Sequence, residues 1–311
     1  MRIGIDIGGT NLAAAAVDDT GKIVTRAVCP TEAQTGYEAV RARIFKLTAD
    51  LIDKTERPVF IGAGVPGIVS ADGAVVINAP NIYWKNRPFK AELAERFGVP
   101  VGLGNDATVA GIAENRFGST RGYRDAVMFT LGTGVGGSVI LGGRVIYGAC
   151  GTGSEFGHLV LDEAGPRCNC GKRGCLETYA SSTAVIRQAR EALAAGETSI
   201  ILEMADGTPD AIDAKMVLDA AAAGDALGLA CFKTMTAALG RAIALVNDVV
   251  NPEIYTLGGG VARAGTFLLE AVKREAYARI TFSEAGLPEI VLAELQNDAG
   301  LVGAAFIDLY R

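Results

Sequence analysis

The chain has 311 residues, half of them apolar and 21% charged, with a net charge of −6. That length exceeds what one hydrophobic core usually serves, so two domains or a two-lobed body are expected. The acidic balance, without a lysine or arginine run, argues against nucleic acid or an anionic membrane as partner.

The first residues lack the basic and apolar regions of a signal peptide, and no apolar run approaches roughly 18 residues. A soluble cytoplasmic protein is therefore expected. Three of the six cysteines crowd between residues 168 and 175, too close for an ordinary disulfide framework. Cys29, Cys150 and Cys231 sit among small and apolar neighbours, as inert thiols usually do.

Strands are predicted at 2–7, 12–17 and 22–28, separated by the turn Gly8-Gly9-Thr10-Asn11 and a break at 18–21. Val40, Ile44, Leu47 and Leu51 recur at helical spacing across 37–54. Strands at 59–65 and 75–78, a helix over 89–97, a strand over 99–104 ending in Asn105-Asp106, and a helix over 107–117 complete the first half. The second half restarts the plan about 125 residues on. A strand at 126–131 enters the turn Gly132-Thr133-Gly134-Val135-Gly136-Gly137, and strands at 138–141 and 144–147 flank Gly142-Gly143. This reads as an internal repeat of topology rather than of sequence. An alanine-rich helix is predicted over 220–250, then a strand over 253–257 running into Gly258-Gly259-Gly260. A last helix over 299–309 is expected to return to the first lobe.

Three glycine clusters thus follow strands, where backbone N–H groups can approach phosphate oxygens; for any one of them a tight hairpin is the alternative. Gly132, Gly134 and Gly137 also spell a dinucleotide fingerprint, but that motif opens a helix and this one runs into a strand. Residues 165–173 resemble a P-loop with one residue too many and no Ser or Thr after the lysine. Asp6, just before Gly8, is either a solvated strand-end acid or an acid that positions Mg2+ through water. Asp106 is either a helix cap or first-turn acid, or a base. In the second reading the helix N-terminus keeps it ionised, and it receives a sugar hydroxyl's proton late, as the bond to phosphorus forms.

His158, Cys168, Cys170 and Cys175 form H-x9-C-x-C-x4-C, the donor set of a closed, structural zinc site. Zinc uses one imidazole nitrogen and leaves the other for a hydroxyl. Glu155 and Glu177 bracket this loop. Each alone reads as a surface glutamate, but a metal-closed loop could hold both as acceptors for a polyol.

With D-I-G-G-T at 6–10, G-V-P-G at 64–67, A-P-N-I-Y-W-K at 79–85, N-D-A at 105–107, L-G-T-G-V-G-G at 131–137, E-F-G-H at 155–158, the cysteine segment at 168–177 and L-G-G-G-V at 257–261, the sequence resembles the ROK family of sugar kinases, bacterial glucokinases in particular. The resemblance spans essentially the whole chain. It implies an α/β, two-lobed actin-like ATPase (ribonuclease-H-like) fold with a cleft between lobes. The lobes would be 1–117, with the helix of 298–311 packing back on it, and 118–297, carrying the zinc loop.

The implied activity is ATP-dependent phosphorylation of a hexose 6-hydroxyl, glucose to glucose 6-phosphate first of all, with Mg2+ and structural Zn2+. Asp6, Gly8, Gly9, Thr10 and Asn11, together with Gly132, Thr133, Gly134, Gly136 and Gly137, would serve the phosphates, and Gly258, Gly259 and Gly260 the adenosine. Asp106 would be the base, with Asn105, Glu155, His158 and Glu177 on the sugar and Asn81 and Asn78 lining its pocket. A homo-oligomer, dimer or tetramer, is implied.

Two positions depart from the family pattern: Asn11 stands where many relatives have lysine, and Ser138 where glycine is frequent. The rivals are an N-acetylglucosamine or N-acetylmannosamine kinase or a fructokinase of the same family, a sugar-responsive repressor, and a non-catalytic sugar-binding protein. A repressor needs a helix-turn-helix before the first motif, where only five residues precede Asp6; Asp106 argues against the non-catalytic reading.

Overall fold

Alternating apolar residues broken by one glycine turn and one polar turn make the N-terminal segment a meander. The computed structural model, which describes residues 1–310, shows it as β1 (Arg2–Ile7), β2 (Asn11–Val17) and β3 (Ile23–Pro30), paired antiparallel in that order. There follow α1 (Tyr37–Ile52), buried through Val40, Ile44, Leu47 and Leu51 as predicted, β4 (Phe60–Val65), β5 (Ile68–Val69), β6 (Val76–Ala79), β7 (Trp84–Arg87), α2 (Phe89–Phe97), β8 (Val101–Asn105) and α3 (Asp106–Phe117). The later elements are β9 (Ala126–Leu131), β10 (Val135–Leu141), β11 (Arg144–Val145), α4 (Glu177–Ala180), α5 (Ser182–Ala194), α6 (Ile200–Met204), α7 (Ala214–Ala222), α8 (Ala226–Val250), β12 (Ile254–Gly258), α9 (Thr266–Tyr277), β13 (Glu289–Leu292) and α10 (Ala299–Ala305).

Two five-stranded sheets have the orders β3-β2-β1-β4-β8 and β11-β10-β9-β12-β13, and β5-β6-β7 form a small third sheet. The two orders correspond strand for strand, so the repeat expected from the glycine pattern is a repeat of sheet topology. In the first sheet β1, β4 and β8 run parallel, and in the second β12 and β13 do. Ligands of such open sheets bind beyond the carboxyl ends of the strands. β1, β8, β9 and β12 end immediately before Gly8, Asp106, Gly132 and Gly259, among the candidate residues.

The chain divides into two compact units. One comprises residues 1–128, 138–154 and the chain from Glu294 onward; the other comprises 129–137 and 155–293. In the first, Ile3, Ile5, Ile7 and Leu12 bury against Val40, Ile44, Trp84 and Phe89. The sheet's other face meets α10, and Gly4 and Gly62 make that approach possible: a Cβ on either would lie 1.8 Å from the carbonyl oxygen of Leu301 or Ala304. Leu301, Val302 and Phe306 complete a core with Ile112 and Phe60. In the second unit Phe129 and Tyr255 are fully buried, and Phe129 stacks on Phe156 at 4.8 Å.

Several expectations are corrected. The helix expected over 220–250 is two helices, because Gly224 takes a left-handed conformation (φ 87°) and Asp225 caps α8, accepting from Gly228 N–H at 2.8 Å. α8 is also long and apolar enough to cross a bilayer, with mean hydropathy 1.5, against the expectation that no run would be. Since 56% of that window is buried inside the protein, as in a core helix, this is weak evidence for a span. β10 starts at Val135, so Gly136 and Gly137 belong to a strand rather than a turn, and β11 stops at Val145. The last helix yields to a 3-10 turn (Ile307–Tyr310) after Ala305.

Candidate active site

In the first unit the turn after β1 is closed by Gly8 N–H donating to Asn11 O at 2.9 Å and by Thr31, whose hydroxyl donates to Gly8 O at 2.6 Å. Gly9, Thr10 and Asn11 remain exposed. Asn81 packs on this turn: a Cβ on Gly9 would sit 3.5 Å from Asn81 Cβ. Asp6 is half-buried on β1, and burial pushes its carboxyl above the usual range. Gly300, in the first turn of α10, faces it so closely that a Cβ there would be 2.9 Å from Asp6 Oδ2.

Asn105 takes the cap of α3. Its Oδ1 accepts from Ala107 and Thr108 N–H at 2.9 and 3.3 Å, and its Nδ2 donates to Gly67 O at 3.1 Å. Asp106 is therefore the first helical residue rather than the cap, exposed, with Oδ1 accepting from Ala107 N–H at 2.8 Å. Asn78 meets the same Gly64-to-Gly67 turn, since a Cβ on Gly67 would lie 2.3 Å from Asn78 O. The unit thus gathers Asn78, Asn105 and Asp106 about one turn, and places Asn81 on the other.

In the second unit the ligand atoms of His158, Cys168, Cys170 and Cys175 all lie within 4.8 Å of one another. Cys170 and Cys175 Sγ are 3.6 Å apart, and Cys168 Sγ is 3.7 Å from His158 Nδ1. A tetrahedral zinc with Zn–S near 2.3 Å has S···S edges of roughly 3.8 Å, so the donor set fits such an ion. The contact through Nδ1 leaves Nε2 as the nitrogen free to serve a ligand. Burial pushes the Cys175 thiol up to about 12, and the neighbouring thiols Cys170 and Cys168 add to it; a bound cation reverses this, because ligating thiols are deprotonated. The loop is shaped by Gly174, at φ 66°, whose carbonyl accepts from Leu161 N–H at 2.8 Å.

Glu155 keeps an exposed carboxylate, but the bulk around its base partly desolvates it and pushes the carboxyl up. His158 opposes that shift and Glu177 adds to it. Glu177, at the start of α4, has a second attachment: Oε2 accepts from Val135 N–H at 3.0 Å, and Oε1 lies 4.0 Å from Cys168 Sγ.

The glycine turn after β9 is tied to α5 by Ser182 N–H donating to Gly132 O and by the Thr183 hydroxyl donating to Thr133 O, both at 2.8 Å. A cavity of about 570 Å³ opens there, lined by Thr133, Ser182, Asp213, Lys215, Gly260 and Arg263 among others. It brings the second and third glycine clusters together. Gly259, at φ 86°, lies against the Leu131 backbone, where any Cβ would come within 2.5 Å of Leu131 O.

Two groups escaped the sequence reading. Glu114, fully buried inside α3, accepts from Ser119 N–H and hydroxyl, Glu294 N–H and Leu295 N–H at 2.8, 2.9, 3.1 and 2.7 Å. A glutamate on a helix four residues before a glycine gives no such signal, because half its partners lie about 180 residues later. Ser138, noted only as a departure, buries its hydroxyl without a partner against Gly111, where a Cβ would lie 2.4 Å from Ser138 Oγ.

The ROK family model matches residues 2–309. The glucokinase of Thermotoga maritima is 40% identical over 98% of this chain and 96% of its own length. The N-acetylmannosamine kinase of Citrobacter koseri is 31% identical over 98% and 97%. Among solved structures, a ROK family glucokinase from Streptomyces griseus, in complex with glucose and AMPPNP, superposes with a TM-score of 0.86 at 34% identity, covering 100% of this chain and 99% of that one. Its motifs, its doubled sheet and these full-length likenesses leave one assignment: the chain belongs to the ROK family, whose sugar kinases have the actin-like ATPase fold.

Proposed function

We propose that this protein is a hexose kinase that transfers the γ-phosphoryl group of ATP to the 6-hydroxyl of glucose. The observation that carries the reading is the Asn105–Asp106 pair. Asn105 takes over the capping of α3, so Asp106 presents an exposed carboxylate at a helix N-terminus in a chain 40% identical to a glucokinase. The helix dipole favours the anion, and the Ala107 N–H fixes one oxygen of the exposed carboxylate.

On this reading Asp106 orients the 6-hydroxyl toward phosphorus and takes its proton late in the transfer. Asn78, Asn81, Asn105, Glu155, His158 Nε2 and Glu177 bind the remaining hydroxyls. The turns formed by Gly8, Gly9, Thr10 and Asn11, and by Gly132, Thr133, Gly134, Gly136 and Gly137, hold phosphate oxygens through backbone N–H groups other than those of Gly8 and Gly132, which close the turns onto Asn11 O and Gly134 O. The 570 Å³ cavity beside Gly258, Gly259 and Gly260 takes the adenosine. Mg2+, near Asp6, supplies charge neutralisation on the phosphates when bound. His158, Cys168, Cys170 and Cys175 hold Zn2+, which closes the loop carrying the sugar residues. The lobes proposed are 1–117 with 298–311, and 118–297. A cytoplasmic homo-oligomer, dimer or tetramer, belongs to the same proposal, and a monomer mass in sedimentation equilibrium would remove that part.

The test is a coupled assay with ATP against glucose, fructose, N-acetylglucosamine and N-acetylmannosamine. Glucose should give the highest kcat/KM. Preference for an N-acetylhexosamine, the activity carried by the Citrobacter koseri relative, would replace glucose but keep the kinase. Asp106→Ala should lose at least about 10²-fold in kcat with sugar binding retained, as a general base contributes that much or more. Activity within about tenfold of the parent would remove Asp106 from this role.

A further inference from the structure

Glu177 stands at the meeting point of two elements that the kinase reading treats separately. Its Oε2 accepts from the Val135 N–H at 3.0 Å, which puts the carboxylate under the glycine turn of 132–134 where it enters β10. A Cβ on Gly134 would lie 2.3 Å from the same oxygen, closer than any real contact, whereas a Cβ on Gly132 would meet open space. Its carbonyl oxygen accepts from the Ser181 hydroxyl at 2.8 Å, and the preceding Leu176 N–H donates to Leu159 O at 2.8 Å. From the other side, Gly157 of the E-F-G-H segment packs on Val135, where a Cβ would lie 2.1 Å from Val135 O.

We infer that Glu177 is a positioning residue for the nucleotide turn. Its carboxylate holds Val135 N–H and thereby sets the orientation of the neighbouring backbone N–H groups. Gly134 is then a glycine because Glu177 occupies the space its side chain would need, whether or not its N–H also serves a phosphate. This rests on the kinase reading for the ligand, but the contact itself is independent of it. A residue serving the sugar alone would leave nucleotide affinity in the absence of sugar untouched; a strut under the turn would not. The turn and the metal loop, joined through Glu177, then move as one piece.

The experiment measures the Kd of TNP-ATP with Mg2+ and no sugar, in the parent, Glu177→Ala, Glu177→Gln, Gly134→Ala and the double variant Gly134→Ala/Glu177→Ala. Zinc content and thermal melting of each variant report that the fold is kept. Loss of one hydrogen bond to a charged acceptor corresponds to a roughly ten- to hundredfold rise in Kd for Glu177→Ala. Glu177→Gln, which retains an acceptor oxygen, should recover most of it. Gly134→Ala should cost about tenfold or more alone but less than about threefold once Glu177 is alanine.

A Gly134→Ala penalty of equal size in both backgrounds, or a Glu177→Ala defect confined to sugar affinity, would overturn the inference. Hydrogen exchange of the Val135 amide in the ligand-free protein separates the two readings. Faster exchange in Glu177→Ala, with no TNP-ATP bound by any variant, would support the strut and reject the kinase; unchanged exchange would reject the strut whatever the nucleotide does.

Discussion

Replacing Glu114 should cost the first unit more stability than any exposed substitution. Its two carboxylate oxygens accept four hydrogen bonds, three from the backbone of Ser119, Glu294 and Leu295 and one from the Ser119 hydroxyl. Glu114→Ala removes this acceptor from three part-buried N–H groups, while the hydroxyl can turn elsewhere. An N–H left without its acceptor costs about 1–3 kcal/mol, toward the lower end where water can reach it, so three of them cost roughly 3–5 kcal/mol. At roughly 2–4 °C per kcal/mol for domains of 150–250 residues, Tm should fall by roughly 6–20 °C. Glu114→Gln keeps the shape. With its amide oxygen in place of Oε2 it retains three of the four bonds, but its NH2 then faces Leu295 N–H, donor against donor, at about 1–3 kcal/mol. Calorimetry should therefore rank parent, Gln and Ala in that order, with Ala at least about 6 °C below the parent. Gln and Ala indistinguishable from the parent would show that water replaces the carboxylate, and the argument from unsatisfied donors would fail.

Gly111→Ala should destabilise by about 1–3 kcal/mol through overlap with Ser138, and Ser138→Gly should restore most of the loss; equal losses in both backgrounds in urea titrations would place the strain elsewhere. Cys170→Ala should drop zinc content, read by elemental analysis, and raise the glucose KM, because one of four ligands is gone and the loop bearing Glu155 and Glu177 loosens; stoichiometric zinc with an unchanged KM would contradict the site. Burial raises the Asp225 carboxyl, but Gly228 N–H, the Ser199 hydroxyl and Ile200 N–H outweigh it and hold the group below its ordinary 3.8. The stability it adds is thus present above pH 3.8 and lost as pH falls through the lowered value, so Asp225→Ala should cost about 1–2 kcal/mol at pH 7 and less at pH 3. A cost that is constant with pH would mean the neutral acid caps as well as the anion.

The same glycine clusters show why some of the site could be read from sequence and some could not. The H-x9-C-x-C-x4-C cluster was legible because all four side chains come from one short segment, so spacing alone brings their donor atoms together. Asn105 and Asp106 were legible as a pair at a strand-to-helix junction, but which one caps the helix is seen only with Gly67 O, which accepts from the Asn105 amide out of the turn after β4. Glycines are more ambiguous still. Gly132 and Gly260 leave open space where a Cβ would be, so no protein atom excludes a side chain there. Gly134 is enforced by Glu177, and Gly259 by Leu131 together with its own left-handed backbone. Gly4 and Gly62 are enforced by the carbonyls of α10, almost 300 residues away for Gly4. A sequence writes each of these as G, because the letter records the absence of a side chain and not what excluded it. The excluding group is local only for the turn residues; elsewhere it arrives from a strand or helix that the fold alone brings near. A glycine motif after a strand therefore identifies where backbone comes close to something, and only the neighbours tell a phosphate from a carboxylate already in place.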